Sequence, residues 1–356
     1  MTAKPLRTAF SLLFFALSGV LGGPEISCKN ENGEAVDWFT FYKLSKRTSK
    51  TTKETGLQYL YLDSTMQTWS KSRHLINSSR SVLGRTLEQL YEAHNSKNDS
   101  AYLIYNDAPP ASVNYSRQHG HAKGLLVWNR MQGFWLIHSV PRFPPAPEHG
   151  YDYPHSGKRY AQSGICITFK YSQYETIDSQ LLVLQPNIYS CFIPSTFQWE
   201  LIHIPQMCAK SSSSKIPGRR LAVLQSVQGL NFVHFAKSDS YIDDIITAWI
   251  AQRLKTHLLA ETWQRKNYEL PSNCSLPYHV YNIKAIGVTP QYYFSSHLDH
   301  SKWCVSIKSS SNRWTCIGDL NRSPHQASRG GGYICTKNRY IYQSFNKLVL
   351  HYGFCN

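Results

Sequence analysis

HGHAKGLLVWNRMQGFWLIHS, residues 119–139, reads as a strand, a turn and a returning strand. An apolar run at 124–128 meets a polar turn at 129–133, then a second apolar run at 134–137 that ends in His138 and Ser139. HSKWCVSIKSSSNRWTCIGDLN, residues 300–321, repeats the plan: apolar at 303–307, polar at 308–312, and a return at 313–317 that ends in Gly318-Asp319-Leu320-Asn321. Each hairpin opens on the pattern H-x-K, as His121 with Lys123 and His300 with Lys302. Strand alternation puts residues i and i+2 on one face, so each histidine and its lysine are expected to point the same way. A hairpin brings its far end back beside its start, which predicts His138 near His121 and Asn321 near His300. An imidazole, an ammonium and a polar end residue on one face suit a phosphate, and two such halves suggest one phosphodiester-cleaving site. The tripeptide alone is a weak signal, because with 15 His in 356 residues it arises about once by chance.

The strings around the tripeptides are far more specific. HGHAKG (119–124), FWLIHS (134–139), VDWFTFYKL (36–44), DHSKWCVS (299–306), WTCIGDLNR (314–322) and RGGG (329–332) resemble the deoxyribonuclease II family, acid endonucleases with a phospholipase D-like fold. The likeness runs from Val36 to Cys355, and the basic pI and flanks are closer to the beta-type branch than to the alpha type. In the wider superfamily the pattern is H-x-K-x4-D, with an Asn seventeen residues after the His. Here Trp128 and Ile307 stand where the Asp is expected, and His138 stands where the first Asn is expected. Asn321 fills the Asn role in the second copy after a longer turn, so the two half-sites are not equivalent.

The resemblance implies an α/β chain with a phospholipase D-like fold, in which two similar sheet-and-helix halves pack as a pseudo-dimer. Residues 1–23 are expected to be a cleaved signal peptide, with Lys4 and Arg7 ahead of an apolar stretch that ends in Gly22 and Gly23. The N-terminal half is then 24–205 and the C-terminal half 206–356. No stretch has the roughly 20 apolar residues of a membrane span, and the expected destination is the lysosome or the exterior. Strands are predicted at 36–44, 57–63, 101–106, 124–128, 134–138, 165–171, 221–226 and 230–236, with a helix at 84–95. A long helix is predicted over 241–264, capped by Ser240, with Ile242, Ile245, Ile246, Trp249, Ile250, Leu254 and Trp263 on one buried face.

Nine Cys in a secreted chain point to disulfides with one thiol left over, and spacing alone leaves their connectivity open. The resemblance implies Cys28 with Cys166, Cys274 with Cys355 and Cys316 with Cys335, which makes Cys191 and Cys208 plausible partners and leaves Cys304 free. Alternation puts Cys304 on the Lys302 face, where a small packed residue is the simpler reading than a nucleophile. Asn-x-Ser sequons stand at Asn77, Asn98, Asn114, Asn273 and Asn321, of which Asn77 and Asn98 suit glycans and Asn321 suits the site.

Removing 1–23 takes away Lys4 and Arg7, so 38 Lys+Arg become 36 against 22 Asp+Glu, a net charge of +14 before any His protonates. So positive a surface favours a polyanion, with double-stranded DNA the expected partner; heparin-like glycans and anionic membranes share that charge preference. Residues 43–50 and 215–220 are the candidate contact stretches. Whether the chain is a monomer or a homodimer is open in the sequence.

The expected catalytic set is His121, Lys123, His138, His300, Lys302 and Asn321, with no cofactor and no metal. One imidazole attacks phosphorus while the other protonates the leaving 5′ oxygen and then activates water. The lysines hold the non-bridging oxygens. His300 is the favoured nucleophile on the family pattern, with His121 as acid and base. His138 is read as a third imidazole that binds phosphate when protonated, and the 330–332 glycines as backbone able to approach a phosphate. The expected reaction is metal-free cleavage of double-stranded DNA at acidic pH, leaving 3′-phosphate and 5′-hydroxyl ends. A phospholipase D-type lipid phosphodiesterase and a non-catalytic polyanion binder are the other classes the sequence admits.

Overall fold

The computed structural model describes residues 25–48, 53–96, 99–110, 118–211, 215–265 and 268–355. The expected leader 1–23, the sequons at Asn98 and Asn114, and Ser49 and Lys50 of the first basic run lie outside the described residues. The chain is a mixed α/β protein built on two large sheets. The first sheet contains β1 (Trp38–Lys43), β2 (Tyr59–Asp63), β3 (Ser70–Lys71), β4 (Ala101–Asn106), β5 (Lys123–Trp128), β6 (Gln132–His138), β7 (Gln162–Lys170) and β8 (Ile188–Phe192). Their order is β8-β4-β5-β6-β7-β1-β2-β3, antiparallel throughout.

The second sheet contains β9 (Arg219–Gln225), β10 (Asn231–Lys237), β11 (Leu258–Glu261), β12 (Val280–Thr289), β13 (Tyr292–Ser295), β14 (Trp303–Ser306), β15 (Thr315–Gly318), β16 (Gly331–Thr336) and β17 (Val349–Tyr352). Their order is β9-β10-β16-β15-β14-β11-β12-β13, with β17 also paired to β12. In each sheet the H-x-K hairpin, β5-β6 or β14-β15, lies between an incoming strand (β4 or β11) and a fourth strand (β7 or β16). A strand from the start of that segment, β1 or β10, then flanks the fourth strand.

One shared core joins the sheets. Trp38, Trp135, Ile137, Ile165 and Ile167 from the first pack with Trp303, Val305, Ile317 and Ile334 from the second. The outer face of the first sheet is covered by α1 (Val82–Ser96), whose Val82, Leu83, Leu87 and Leu90 recur at helical spacing and bury against Phe39, Phe41, Leu125 and Val127. α2 (Tyr174–Leu184) lies against β9 and β10, and its Gln180 Nε2 donates to the His234 carbonyl at 3.1 Å. α3 (Arg339–Leu348) is capped by Asn338, whose side chain accepts from the N–H groups of Tyr340 and Ile341 at 2.9 and 3.1 Å.

The long helix expected over 241–264 is not formed. Helical structure is confined to Ile245–Leu254, a wide-wound segment followed by one α turn, capped by Asp244, which accepts from Ile246 N–H at 3.1 Å. Lys255 takes a left-handed φ of 54° and ends it. The apolar run after it becomes β11, because pairing with β14 satisfies its backbone on one side and β12 on the other. Ile245, Ile246, Trp249, Ile250 and Leu254 are buried as expected, whereas Ile242 is 73% exposed. All four disulfides are formed, Cys28–Cys166, Cys191–Cys208, Cys274–Cys355 and Cys316–Cys335, and Cys304 is free. Cys304 packs with Cys316, Ala260 and Ile250, and burial pushes its thiol pKa up, which suits a packed residue rather than a nucleophile.

Candidate active site

The hairpins bring His121 and His300 to the seam between the sheets through a reciprocal exchange of backbone hydrogen bonds. His121 N–H donates to the Gly330 carbonyl at 2.8 Å, one residue before β16; His300 N–H donates to the Ala161 carbonyl at 2.9 Å, one residue before β7. The loops that supply these carbonyls are themselves pinned by buried lysines at the ends of β1 and β10. Lys43 Nζ donates to the carbonyls of Lys158 and Tyr160, and Lys237 Nζ to those of Ala327 (2.8 Å) and Arg329 (2.6 Å). Lys43 is fully buried, which corrects its reading as part of a surface contact stretch. Gly120 is required by close approach, since a Cβ there would sit 1.9 Å from the Leu184 carbonyl oxygen and 3.0 Å from that of Gly330. The 330–332 glycines likewise serve packing: Gly331 and Gly332 are strand residues, and a Cβ on Gly332 would meet Phe235 O at 2.7 Å.

Around His121 the charges are arranged about one buried carboxylate. Asp107 Oδ1 accepts from Lys123 Nζ at 2.5 Å, and Oδ2 lies 3.3 Å from Arg329 Nη1 and 3.8 Å from His121 Nε2. Burial acts to raise Asp107, but Lys123, His121 and Arg329 together hold its pKa below the usual carboxylate range. The other ring nitrogen of His121, Nδ1, lies 2.7 Å from the Asp319 carbonyl, which only accepts, so Nδ1 carries the proton. The Asp319 carboxyl is fully buried, and its pKa is raised to about 7 by that burial against the pull of Lys123.

Around His300 the environment is aromatic. Its ring stacks on Tyr160 at 4.7 Å and 11°, with Trp263 at 3.9 Å on a tilt of 58°. His300 Nε2 is shielded from water and, among the described residues, has no hydrogen-bond partner. Lys302 Nζ donates to the His300 carbonyl, and beneath it Asp299 accepts from Tyr42 Oη and, at 2.8 Å, from Ser301 N–H. Burial and then Lys123 lower the Lys302 pKa to about 7. Burial and neighbouring lysines hold both His121 and His300 well below the ordinary imidazole value, and each responds to charge on the opposite half: His121 to Lys302, His300 to Lys123 and to His121.

Four of the six residues singled out in the sequence, His121, Lys123, His300 and Lys302, therefore share one electrostatic site. His138 ends β6 one step past the Ile137–Gly124 pair, which sets it beside Lys123 rather than beside His121 as expected. It is 1% exposed, however; its Nδ1 accepts from Val140 N–H at 3.1 Å, and burial with Lys123 lowers its pKa to about 3. Burial and Lys123 thus oppose the positive charge expected on His138. Asn321 accepts through Oδ1 from Trp263 N–H at 3.0 Å, which fixes the ring that packs on His300. Sequence reading missed Asp107, Asp319, Asp299 and Arg329. Asp107 follows directly on the β4 strand at the Asn106-Asp107 step, a polar end to an apolar run, and that was its only local signal.

The comparisons with known proteins bear on this geometry. A profile of the family described as Deoxyribonuclease II matches residues 27–355. Deoxyribonuclease-2-beta of Mus musculus is 78% identical over 355 residues, with all of both chains covered. The protein of that name from Homo sapiens is 69% identical, covering 100% of this chain and 99% of its own. Deoxyribonuclease-2-alpha of Mus musculus is 35% identical over 98% of this chain and 99% of its own.

Proposed function

This chain belongs to the deoxyribonuclease II family, and from that premise we propose that it is an endonuclease that hydrolyses phosphodiester bonds of double-stranded DNA at acidic pH without a divalent metal. The observation that carries this reading is the meeting of two imidazoles and two lysines from separate hairpins around one seam. His300 is the nucleophile: its Nε2 lone pair, unshared with any donor, forms a bond to phosphorus as the P–O5′ bond breaks. His121 is the acid. Its Nδ1 is held by the Asp319 carbonyl, and Nε2, facing the Asp107 carboxylate, delivers the proton to O5′. Water then attacks the phosphohistidine, returns a proton to His121 and breaks the N–P bond, leaving a 3′-phosphate and a 5′-hydroxyl. Lys123 and Lys302 stabilise the charge on the non-bridging oxygens.

Acidic operation follows from the same burial. Because both histidines titrate below the ordinary value near 6.5, a protonated acid is abundant only as pH falls, while the anionic substrate supplies the counter-charge the site lacks. His138 enters as a neutral imidazole at the Lys123 side, and Asn321 as the residue that positions Trp263. We further read 24–205 and 206–356 as two phospholipase D-like halves, supported by the recurring strand order and the reciprocal backbone bonds. Delivery to a lysosomal or extracellular destination belongs to this reading, supported by the four disulfides. The test is nicking of supercoiled plasmid across pH 4–8 set beside hydrolysis of phosphatidylcholine vesicles. Plasmid cleavage that rises below neutrality, with intact lipid, is expected; lipid turnover alone would move the chain to the phospholipase class.

A further inference from the structure

The His300 ring belongs to a cluster of three mutually touching rings. Arg159 Cζ lies 5.2 Å from the Tyr160 ring centre, Tyr160 stacks on His300, and His300 meets Trp263. Arg265 Cζ lies 4.9 Å from the Trp263 ring and 5.5 Å from that of Tyr268. Tyr160 and Trp263 are themselves 5.4 Å apart, so the three rings form a triangle, with one cation on each of its two aromatic corners. Both arginines are exposed, and among the described residues neither side chain has an ion pair or a hydrogen bond. Both are nevertheless held in place, because a guanidinium within about 6 Å of a ring face is attracted by the ring quadrupole. A guanidinium attracted to a ring keeps N–H groups free for other acceptors, and its planar fork can grip a phosphate with two parallel bonds.

We propose that Arg159 and Arg265 are phosphate clamps for the backbone phosphates on either side of the scissile one, so that the substrate is a strand carrying at least three consecutive phosphates. This rests on the nuclease reading and extends it. The scissile phosphate lies at His300, with a neighbouring phosphate at the arginine on each of the two aromatic corners. An unpaired pair of cations flanking the nucleophile complements a polyphosphate backbone. It gives no advantage on a lone phosphodiester such as a lipid headgroup.

The experiment measures kcat and KM on a labelled duplex at acidic pH over a series of salt concentrations, for wild type, Arg159→Gln, Arg265→Gln and the double variant. Arg339→Gln is the control. Arg339 is also exposed and lies 4.5 Å over its own ring, Tyr340, but it stands beyond the far end of β16 from the site. Each lost phosphate contact reduces the slope of log affinity against log salt by roughly 0.7–0.9, so the single variants are expected to raise KM with a slope shallower by about that amount and the double variant by about twice it. kcat stays near wild type, and Arg339→Gln keeps the wild-type slope. The inference is overturned if the slopes of the Arg159 and Arg265 variants match wild type, or if kcat falls with no change in slope, which marks the arginines as props for the rings. A wild-type enzyme that leaves DNA uncut overturns the nuclease reading itself, so the two failures are distinguishable.

Discussion

Replacing Asp107 by Asn probes the electrostatics of the site most sharply. The side chain keeps its shape but loses the negative charge nearest to Lys123, Arg329 and His121, at 2.5, 3.3 and 3.8 Å. Opposite charges near 4 Å interact by about 4 kcal/mol at an effective dielectric of 20, and 1.36 kcal/mol corresponds to one pKa unit, so His121 is expected to fall by about 1–3 units. The activity limb that needs protonated His121 therefore moves to lower pH. Stability falls too, by about 3–5 kcal/mol, because buried cations lose their partner. The folded pKa of Asp107 is depressed, so its contribution is complete above the unfolded value near 3.9 and disappears only as pH falls through the folded one. The loss is accordingly equal at pH 5 and pH 7. Urea denaturation at both values and a plasmid-nicking pH profile, with near-UV circular dichroism to verify folding, provide the assay. A folded variant whose limb stays in place or moves to higher pH refutes the reasoning.

Other outcomes follow from the same structure. His138 and His234 are buried with pKa values near 3, so the free protein loses stability as pH falls from 6.5 to 5, by about 2 kcal/mol for each; thermal melts across that range check it. Gly120→Ala forces a methyl group into the Leu184 carbonyl and shifts His121, with about a 100-fold loss in nicking rate expected from a displacement near 1 Å. Arg322, whose guanidinium bonds to Asp244, Asn282, Thr247 and the Pro271 carbonyl, is expected to cost about 3–5 kcal/mol as Arg322→Ala in chemical denaturation, because the largely buried Asp244 loses its counter-ion.

The local pattern was readable where sequence neighbours decide it. Both hairpins lie where their apolar and polar runs put them, although His121, His300 and Lys302 precede the strands on which alternation had placed them; α1 and the first-sheet strands fall within a few residues of the expected bounds, and the Cys pairings agree. What escaped was set by contacts far apart in the chain. Asp319 holds His121 from 198 residues away, and Tyr42 reaches Asp299 across 257, which no local periodicity encodes. The 241–264 stripe misled because buried strand β11 and a short buried helix both read as continuous apolar sequence, and pairing with β12 and β14 decides between them. His138 closes its strand as expected, but its charge depends on burial, which spacing does not reveal.

The most direct test of the two-histidine site is cleavage of supercoiled plasmid at about pH 5, below the unperturbed imidazole value, with EDTA present, wild type beside His300→Ala, followed by analysis of the product ends. The account predicts cutting by wild type alone, with 3′-phosphate and 5′-hydroxyl ends. Loss of cutting in EDTA, or His300→Ala cutting as well as wild type, contradicts it.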